Sequence, residues 1–303
     1  MNFLSMEYFV MVARERSFTK AAEQLHITQQ TLSAHISSVE KELECQLLIR
    51  RVPLELTYAG EVFLRYALGF QQSHQAMKKE FCDITANQKG ILRVGVSFTR
   101  SRVIMPDLIS AFQEKYPNIE ITIMESSNDA MHKYLIDGEI DLAVGSFPES
   151  LPDVELRDFY QEEIVLLISK ELLSGIYEEG FESKIAQGNL SALQECPFVL
   201  GNPEDIGGQI GRSMIKHSGF QPIVKAQSDN IETLLSLCVR GIGACFCPIN
   251  LVQATLPAKQ LSKLRMFRFD NYAAYPIRFG YQRNPYQWSI ISEFIKIANQ
   301  IID

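Results

Sequence analysis

The chain has little of what would make it a membrane, secreted or metal-dependent protein. No apolar run approaches the roughly 20 residues that a membrane span needs. Met1-Asn2-Phe3-Leu4-Ser5-Met6-Glu7 lacks a basic segment followed by an apolar one, so no signal peptide is expected and the predicted location is the cytoplasm. Of the six cysteines, none are spaced Cys-x-x-Cys, and no histidine lies near enough in sequence to complete a zinc site. No metal and no cofactor are expected. Cys245 and Cys247 flank Phe246 in an apolar stretch and read as small hydrophobes, whereas Cys196, beside Pro197, reads as partly exposed. There is no Ser-His-Asp arrangement, and Gly207-Gly208-Gln209-Ile210-Gly211 lacks the preceding strand of a dinucleotide site. Nothing here reads as catalytic. Positive charge is also scarce: the net charge is −7, which excludes a protein that coats nucleic acid by charge alone. The first 60 residues hold six basic and seven acidic side chains, so DNA binding there would rest on placement.

What is present begins at Ser17. Ser17 or Thr19 suits a helix start, and Ala21, Ala22 and Leu25 give that helix a small apolar face. After a turn at His26-Ile27-Thr28, a second helix carries Leu32, Ile36, Val39 and Leu43 at spacings of four, three and four. Its other face is Gln29, Gln30, Thr31, Ser33, Ala34, His35, Ser37 and Ser38, with charge beginning only at Glu40-Lys41-Glu42. Amide and hydroxyl groups without charge suit base edges in a major groove. Leu47 to Thr57 alternates around Pro53 as a short wing, with Arg50 and Arg51 placed for phosphate. The expected DNA-contacting set is Ser17, Thr19, Lys20, Thr28, Gln29, Gln30, Thr31, Ser33, His35, Arg50 and Arg51.

Tyr58 to about Gln88 contains no proline and carries Val62, Tyr66, Gly69, Ser73, Met77, Phe81 and Ile84 in a heptad-like stripe. That stripe is too apolar to face water and needs a partner, most simply a second copy. From Ile91 strands and helices alternate: strands at Ile91–Val96, Ile119–Met124, Ile140–Val144, Ile164–Ile168, Pro197–Leu200, Ile223–Ala226, Ala244–Cys247, Leu264–Phe269 and Ile277–Tyr281. Helices fall between them, and Tyr286–Ile302 closes the chain. Two α/β lobes with two crossings make a solute-binding-protein architecture. The predicted fold is therefore α/β, with a winged helix-turn-helix (1–58), a dimerising linker helix (59–89) and a two-lobed, periplasmic-binding-protein-like effector domain (90–303). Lobe 1 is 90–162 and 270–303; lobe 2 is 163–269.

Ligands of such sheets sit beyond strand carboxyl ends, at helix N-termini. Ser97-Phe98-Thr99-Arg100-Ser101 follows the first strand and offers three hydroxyls and a guanidinium, chemistry for a small anion. Ser126-Ser127-Asn128, Gly145-Ser146, Gly201-Asn202 and Ser228-Asp229-Asn230 fall on the same rim, and Phe98 and Phe246 could wall it. The expected effector set is Ser97, Thr99, Arg100, Ser101, Ser126, Ser146 and Asn202.

Met6-Glu7-Tyr8-Phe9, Ser17 to Ala22, Leu25 to Gln29, Leu32-Ser33, Val39-Glu40, Leu43 and Leu56 to Gly60 together resemble the LysR-type transcriptional regulators, and the resemblance continues to the end of the chain. It implies a dimer or tetramer on an interrupted palindrome in promoter DNA, switched by a small molecule. It also implies effector contacts at Ser97, Thr99, Ser146 and Asn202. The family usually has Gly at Glu44 and Phe at Leu48, and often Arg or His at Ala34 and Gln at His35. Two other classes stay open at this point: a solute-binding protein, which leaves residues 1–88 without a purpose, and an enzyme on the same two-lobed fold.

Overall fold

The computed structural model describes residues 1–51, 53–85, 89–177, 181, 185, 190–269, 273–283 and 286–302. The N-terminal unit is three helices, α1 (Phe3–Glu15), α2 (Phe18–Gln24) and α3 (Gln29–Glu42), followed by a two-stranded wing. Each helix starts on a side chain that accepts from a free backbone N–H: Asn2 from Ser5, Ser17 from Lys20 and Thr28 from Thr31. The turn into α3 puts His26 at φ +54°. Phe9, Val12, Ala21, Leu32, Ile36, Val39 and Leu47 are fully buried, each large one contributing about 1.5–3 kcal/mol. Strands β1 (Leu48–Ile49) and β2 (Glu55–Leu56) pair antiparallel, Leu48 opposite Leu56. Gly60 is fixed by contact, since a Cβ there would lie 2.0 Å from the Leu47 carbonyl oxygen.

Helix α4 (Tyr58–Ile84) is capped by Thr57 and packs Phe63 edge-on against Phe9, with ring centroids 4.9 Å apart. It ends at Ile84 with Thr85 as its cap; residues 86–88, where the sequence places the helix end, lie outside the described residues. Farther along, α4 is tied to its own effector domain. Gln72 donates to the Ile136 carbonyl, Lys79 pairs with buried Asp141, and Asp83 accepts from the Tyr286 hydroxyl, the Ser289 amide (3.0 Å) and the Ser289 hydroxyl (2.7 Å).

The effector domain opens with β3 (Gly90–Val96), α5 (Phe98–Lys115), β4 (Ile119–Glu125), α6 (Asn128–Ile136) and β5 (Leu142–Gly145). Strand β3 lies parallel between β4 and β5. Strand β6 (Val154–Ser169) then enters the second lobe, which holds α7 (Lys170–Ile176), β7 (Pro197–Leu200), α8 (Ile206–His217), β8 (Ile223–Gln227), α9 (Ile231–Val239) and β9 (Cys245–Pro248). It continues through α10 (Ile249–Thr255), α11 (Ala258–Leu261) and β10 (Leu264–Phe267); β11 (Ala274–Gln282) and α12 (Ser289–Ile302) return to the first. The main sheet runs β10-β6-β11-β5-β3-β4, with β9 also on β6.

The sequence places a strand only from Ile164, but β6 starts at Val154. Up to Glu163 it pairs with β11, and from Ile164 with β9 and, farther on, β10, so one strand serves both lobes. Its first half intersperses Val154, Leu156, Phe159 and Tyr160 among charged and polar residues, so it offers no continuous apolar run for a search to find. Separate apolar cores fill the lobes: Leu92, Val94, Phe112, Phe279 and Phe294 in one, Ile164, Leu166, Phe198 and Phe246 in the other.

Cys196 is fully buried, which corrects its expected exposure; it closes under β7 in the lobe 2 core, and burial pushes its thiol up to about 12. Cys45 is the exposed cysteine. Among the described residues no helix is long and apolar enough to cross a membrane, and no group of His, Cys, Asp and Glu is placed to hold a metal ion.

Candidate functional site

Helix α3 presents Gln29, Gln30, Thr31, Ala34, Ser37 and Ser38 to solvent, with Ser33 half-buried beside them. The Gln29 amide oxygen and Thr19 hydroxyl lie 3.5 Å apart, joining the ends of α2 and α3 into one polar surface with exposed Lys20. Ser17 and Thr28 are engaged as caps, Thr28 also contacting the Thr31 hydroxyl at 2.8 Å.

His35 is not on this face. Its ring sits edge-on to Tyr8 at 4.9 Å, with Nδ1 3.1 Å from the Ser5 hydroxyl, so it anchors α3 on α1. The periodicity of α3 leaves His35 between the buried and exposed stripes, and its neighbour on α1 decides the side.

Glu40 corrects the sequence reading in the other direction. It does not begin the solvated face: its carboxylate is buried, accepting from the Leu47 amide at 2.8 Å and the Leu48 amide at 3.3 Å while pairing with Arg50 at 3.2 Å. One carboxylate thereby fixes where the wing leaves the helix. Arg50 also donates to the Ser37 hydroxyl and lies over the Phe18 ring at 5.8 Å, while Arg51 pairs with Glu55; both keep exposed side chains beside the α3 face. Glu44 adopts φ +52°, the left-handed backbone that explains the glycine usual at this place. Glu40→Ala strands two buried amides and is expected to cost at least about 2 kcal/mol, read as a lower melting temperature of the full chain; a wild-type melting curve would remove Glu40 from this role.

The second site is a cleft of about 860 Å³ between the lobes. Helix α5 starts at Phe98, directly after β3, so Thr99 and Arg100 belong to its first turn. Ser97 occupies the cap position without capping; its hydroxyl instead accepts from Arg100 at 3.0 Å, leaving first-turn amides of α5 without a side-chain partner. Ser97, Phe98, Thr99, Arg100, Ser126, Ser146, Asn202 and Phe246 all line the cleft. Ser101 does not: it is buried one residue farther round the helix, and the sequence assignment is corrected.

Arg100 lines the cleft with its guanidinium buried and already paired. Its side chain is 7% exposed and pairs with Glu162 of β6 at 3.0 Å, while Tyr275 of β11 contributes a hydroxyl at 3.3 Å. Burial opposes its charge, but Glu162, Tyr275 and Tyr160 outweigh that and hold the guanidinium above its usual value. Arg100 Nε is buried without a hydrogen-bond partner among the described residues. Glu162 and Tyr275 were not legible, because each reaches Arg100 from a strand more than 60 residues away in sequence. The cleft is also more acidic than serine-rich motifs suggest. Glu125, Asp129, Glu162, Glu204, Asp205 and Asp229 line it, against Arg100 as the one lining cation among the described residues. Burial pushes the Asp205 carboxyl up from its ordinary range, and the charges of Asp229 and Glu204 add to that. Gly208 sits where a Cβ would lie 2.0 Å from the Asn202 carbonyl oxygen, so the start of α8 closes tightly on the Asn202 loop.

Residues 3–61 match the bacterial regulatory helix-turn-helix proteins of the lysR family, and residues 85–300 match the LysR substrate binding domain. This chain belongs to the LysR family. It is 31% identical over 268 residues to a probable RuBisCO transcriptional regulator of Thalassiosira pseudonana, covering 84% of this chain and 83% of that one. It is 28% identical over 264 residues to an uncharacterized HTH-type transcriptional regulator of Bacillus subtilis (strain 168), covering 84% and 81%. Among solved structures, CbnR, a LysR family transcriptional regulator, aligns over 99% of both chains with a TM-score of 0.64 at 20% identity. A full-length OxyR variant from Pseudomonas aeruginosa aligns over 99% of this chain and 94% of that one, with a TM-score of 0.72 at 20% identity. The chain is a LysR-family DNA-binding regulator with a ligand-binding domain, which sets aside the solute-binding and enzymatic readings.

Proposed function

We propose that two or four copies bind an interrupted palindrome in promoter DNA, reading bases with Gln29, Gln30, Thr31 and Ser33 and holding phosphates with Thr19, Lys20, Arg50 and Arg51. The observation that carries this is the uncovered, uncharged amide-and-hydroxyl face of α3 flanked by two arginines. Gln29→Ala is expected to cost about 1–3 kcal/mol on the specific site and little on random DNA. Arg51→Ala should weaken both alike and flatten the salt dependence. Equal loss on specific and random DNA for Gln29→Ala, measured by fluorescence anisotropy, would remove its base-reading role.

The switch is a small molecule in the cleft, carrying an anionic group at the start of α5 among Ser97, Thr99, Ser146 and Asn202. The uncapped first turn of α5 supports this, since its amides carry the positive end of the helix dipole. Pairing of subunits through α4 is supported by its bare stripe, where Tyr66, Met77, Phe81 and Ile84 are all exposed.

A further inference from the structure

We infer that the small molecule is a zwitterion of the amino-acid class, with an ammonium or guanidinium group held by the acidic rim of lobe 2 opposite its anionic group. The inference rests on the proposed anion position at α5 and adds the other end of the ligand.

Carboxylates of both lobes line the cleft, Glu125 and Asp129 from the first and Glu204, Asp205 and Asp229 from the second, and the lining arginine sits on the lobe 1 side. On the lobe 1 side, Arg100 is nine-tenths buried, lines the cleft and keeps Nε without an acceptor among the described residues. That arginine is already neutralised by Glu162, and it gives the site no net positive charge for a polyanion. On the lobe 2 side, Glu204 and Asp205 precede or begin α8, and Asp229 follows β8. None of the three forms an ion pair among the described residues, and the Asp205 carboxylate occupies the cap position of α8 without capping it. A carboxylate normally takes that capping bond. The three lie near enough to one another for the charges of Asp229 and Glu204 to act on Asp205, in a cleft whose walls concentrate the field of one sign. A dianion meets this rim with repulsion, whereas a molecule ending in an ammonium replaces the missing counter-charge. A cleft of about 860 Å³ lies within the usual range for small-molecule sites.

The test is calorimetric titration of the full chain with L-lysine, L-ornithine, L-arginine and L-glutamine. Glutarate and adipate serve as dianions of similar length, and cadaverine and putrescine as dications. The expected result is tightest binding by one of the amino acids. Asp205→Asn with Asp229→Asn should then weaken that compound by roughly ten- to a hundred-fold and leave the dicarboxylates unchanged or tighter. Unliganded melting curves establish that these isosteric changes leave the fold intact. The inference is overturned if no amino compound binds more tightly than its dicarboxylate counterpart, or if the asparagine pair leaves amino-acid affinity unchanged. Thr99→Ala separates the two levels. Binding that ignores Thr99→Ala yet falls with the asparagine pair overturns the anion position while keeping cation recognition by lobe 2. Binding that falls with Thr99→Ala alone keeps the anion position and overturns the zwitterion.

Discussion

Arg100→Ala is expected to lower the stability of the chain by about 3–5 kcal/mol, a large share of the roughly 5–15 kcal/mol that holds a domain together. The substitution leaves the Glu162 carboxylate, 4% exposed, without its cation between two strands that join the lobes. Thermal unfolding of the full protein should show the loss with no ligand present. Replacing both partners, Arg100→Met with Glu162→Met, removes the stranded charge together with its cause, so the double variant should melt well above Arg100→Ala. A single variant as stable as wild type would mean that Arg100 is held for its ligand alone. Loss of response in Arg100→Ala by itself is therefore no measure of ligand contact, and Thr99→Ala is the cleaner probe.

The second large effect is expected on assembly. Phe81→Asp or Met77→Asp places a carboxylate in the exposed apolar stripe of α4, where the two side chains are 60% and 48% accessible in the single chain. In a symmetric pair each substitution appears twice, and desolvating the two charges should cost at least about 3 kcal/mol, near a hundred-fold in the dimer dissociation constant. Analytical ultracentrifugation at micromolar protein should then show monomer. Gly69 lies on the same stripe with nothing within 4 Å of the place a Cβ would occupy, leaving room for a close helix crossing. A Phe81→Asp protein that sediments as a dimer would move the interface elsewhere.

Much of this architecture was legible because it is periodic. The helix-turn-helix, the stripe of α4 and the alternation of β3, α5, β4, α6 and β5 each repeat a pattern that local sequence carries. The residues misread are those whose side is chosen by a distant partner. His35 belongs to Tyr8 and Ser5, Glu40 to the amides of Leu47 and Leu48, and Arg100 to Glu162 and Tyr275. The first turn of α5 went unread because Ser97, Thr99, Arg100 and Ser101 carry no apolar repeat, and helices need only a favourable start there. The acidic rim escaped for a related reason: Glu125, Asp129, Glu204, Asp205 and Asp229 are scattered over more than 100 residues and converge only when the lobes are built.

The position of β11 has a consequence for how the chain is made. It lies between β5 and β6, and with Phe294 of α12 it completes the first lobe's core, so that lobe is assembled from segments separated by the entire second lobe. A nascent chain emerging from the ribosome has every residue of the N-terminal core by Ala67, yet it cannot close lobe 1 until nearly all 303 residues exist. Because domains fold as units during synthesis and contacts distant in sequence form late, the DNA-reading head should mature well before the part that governs it.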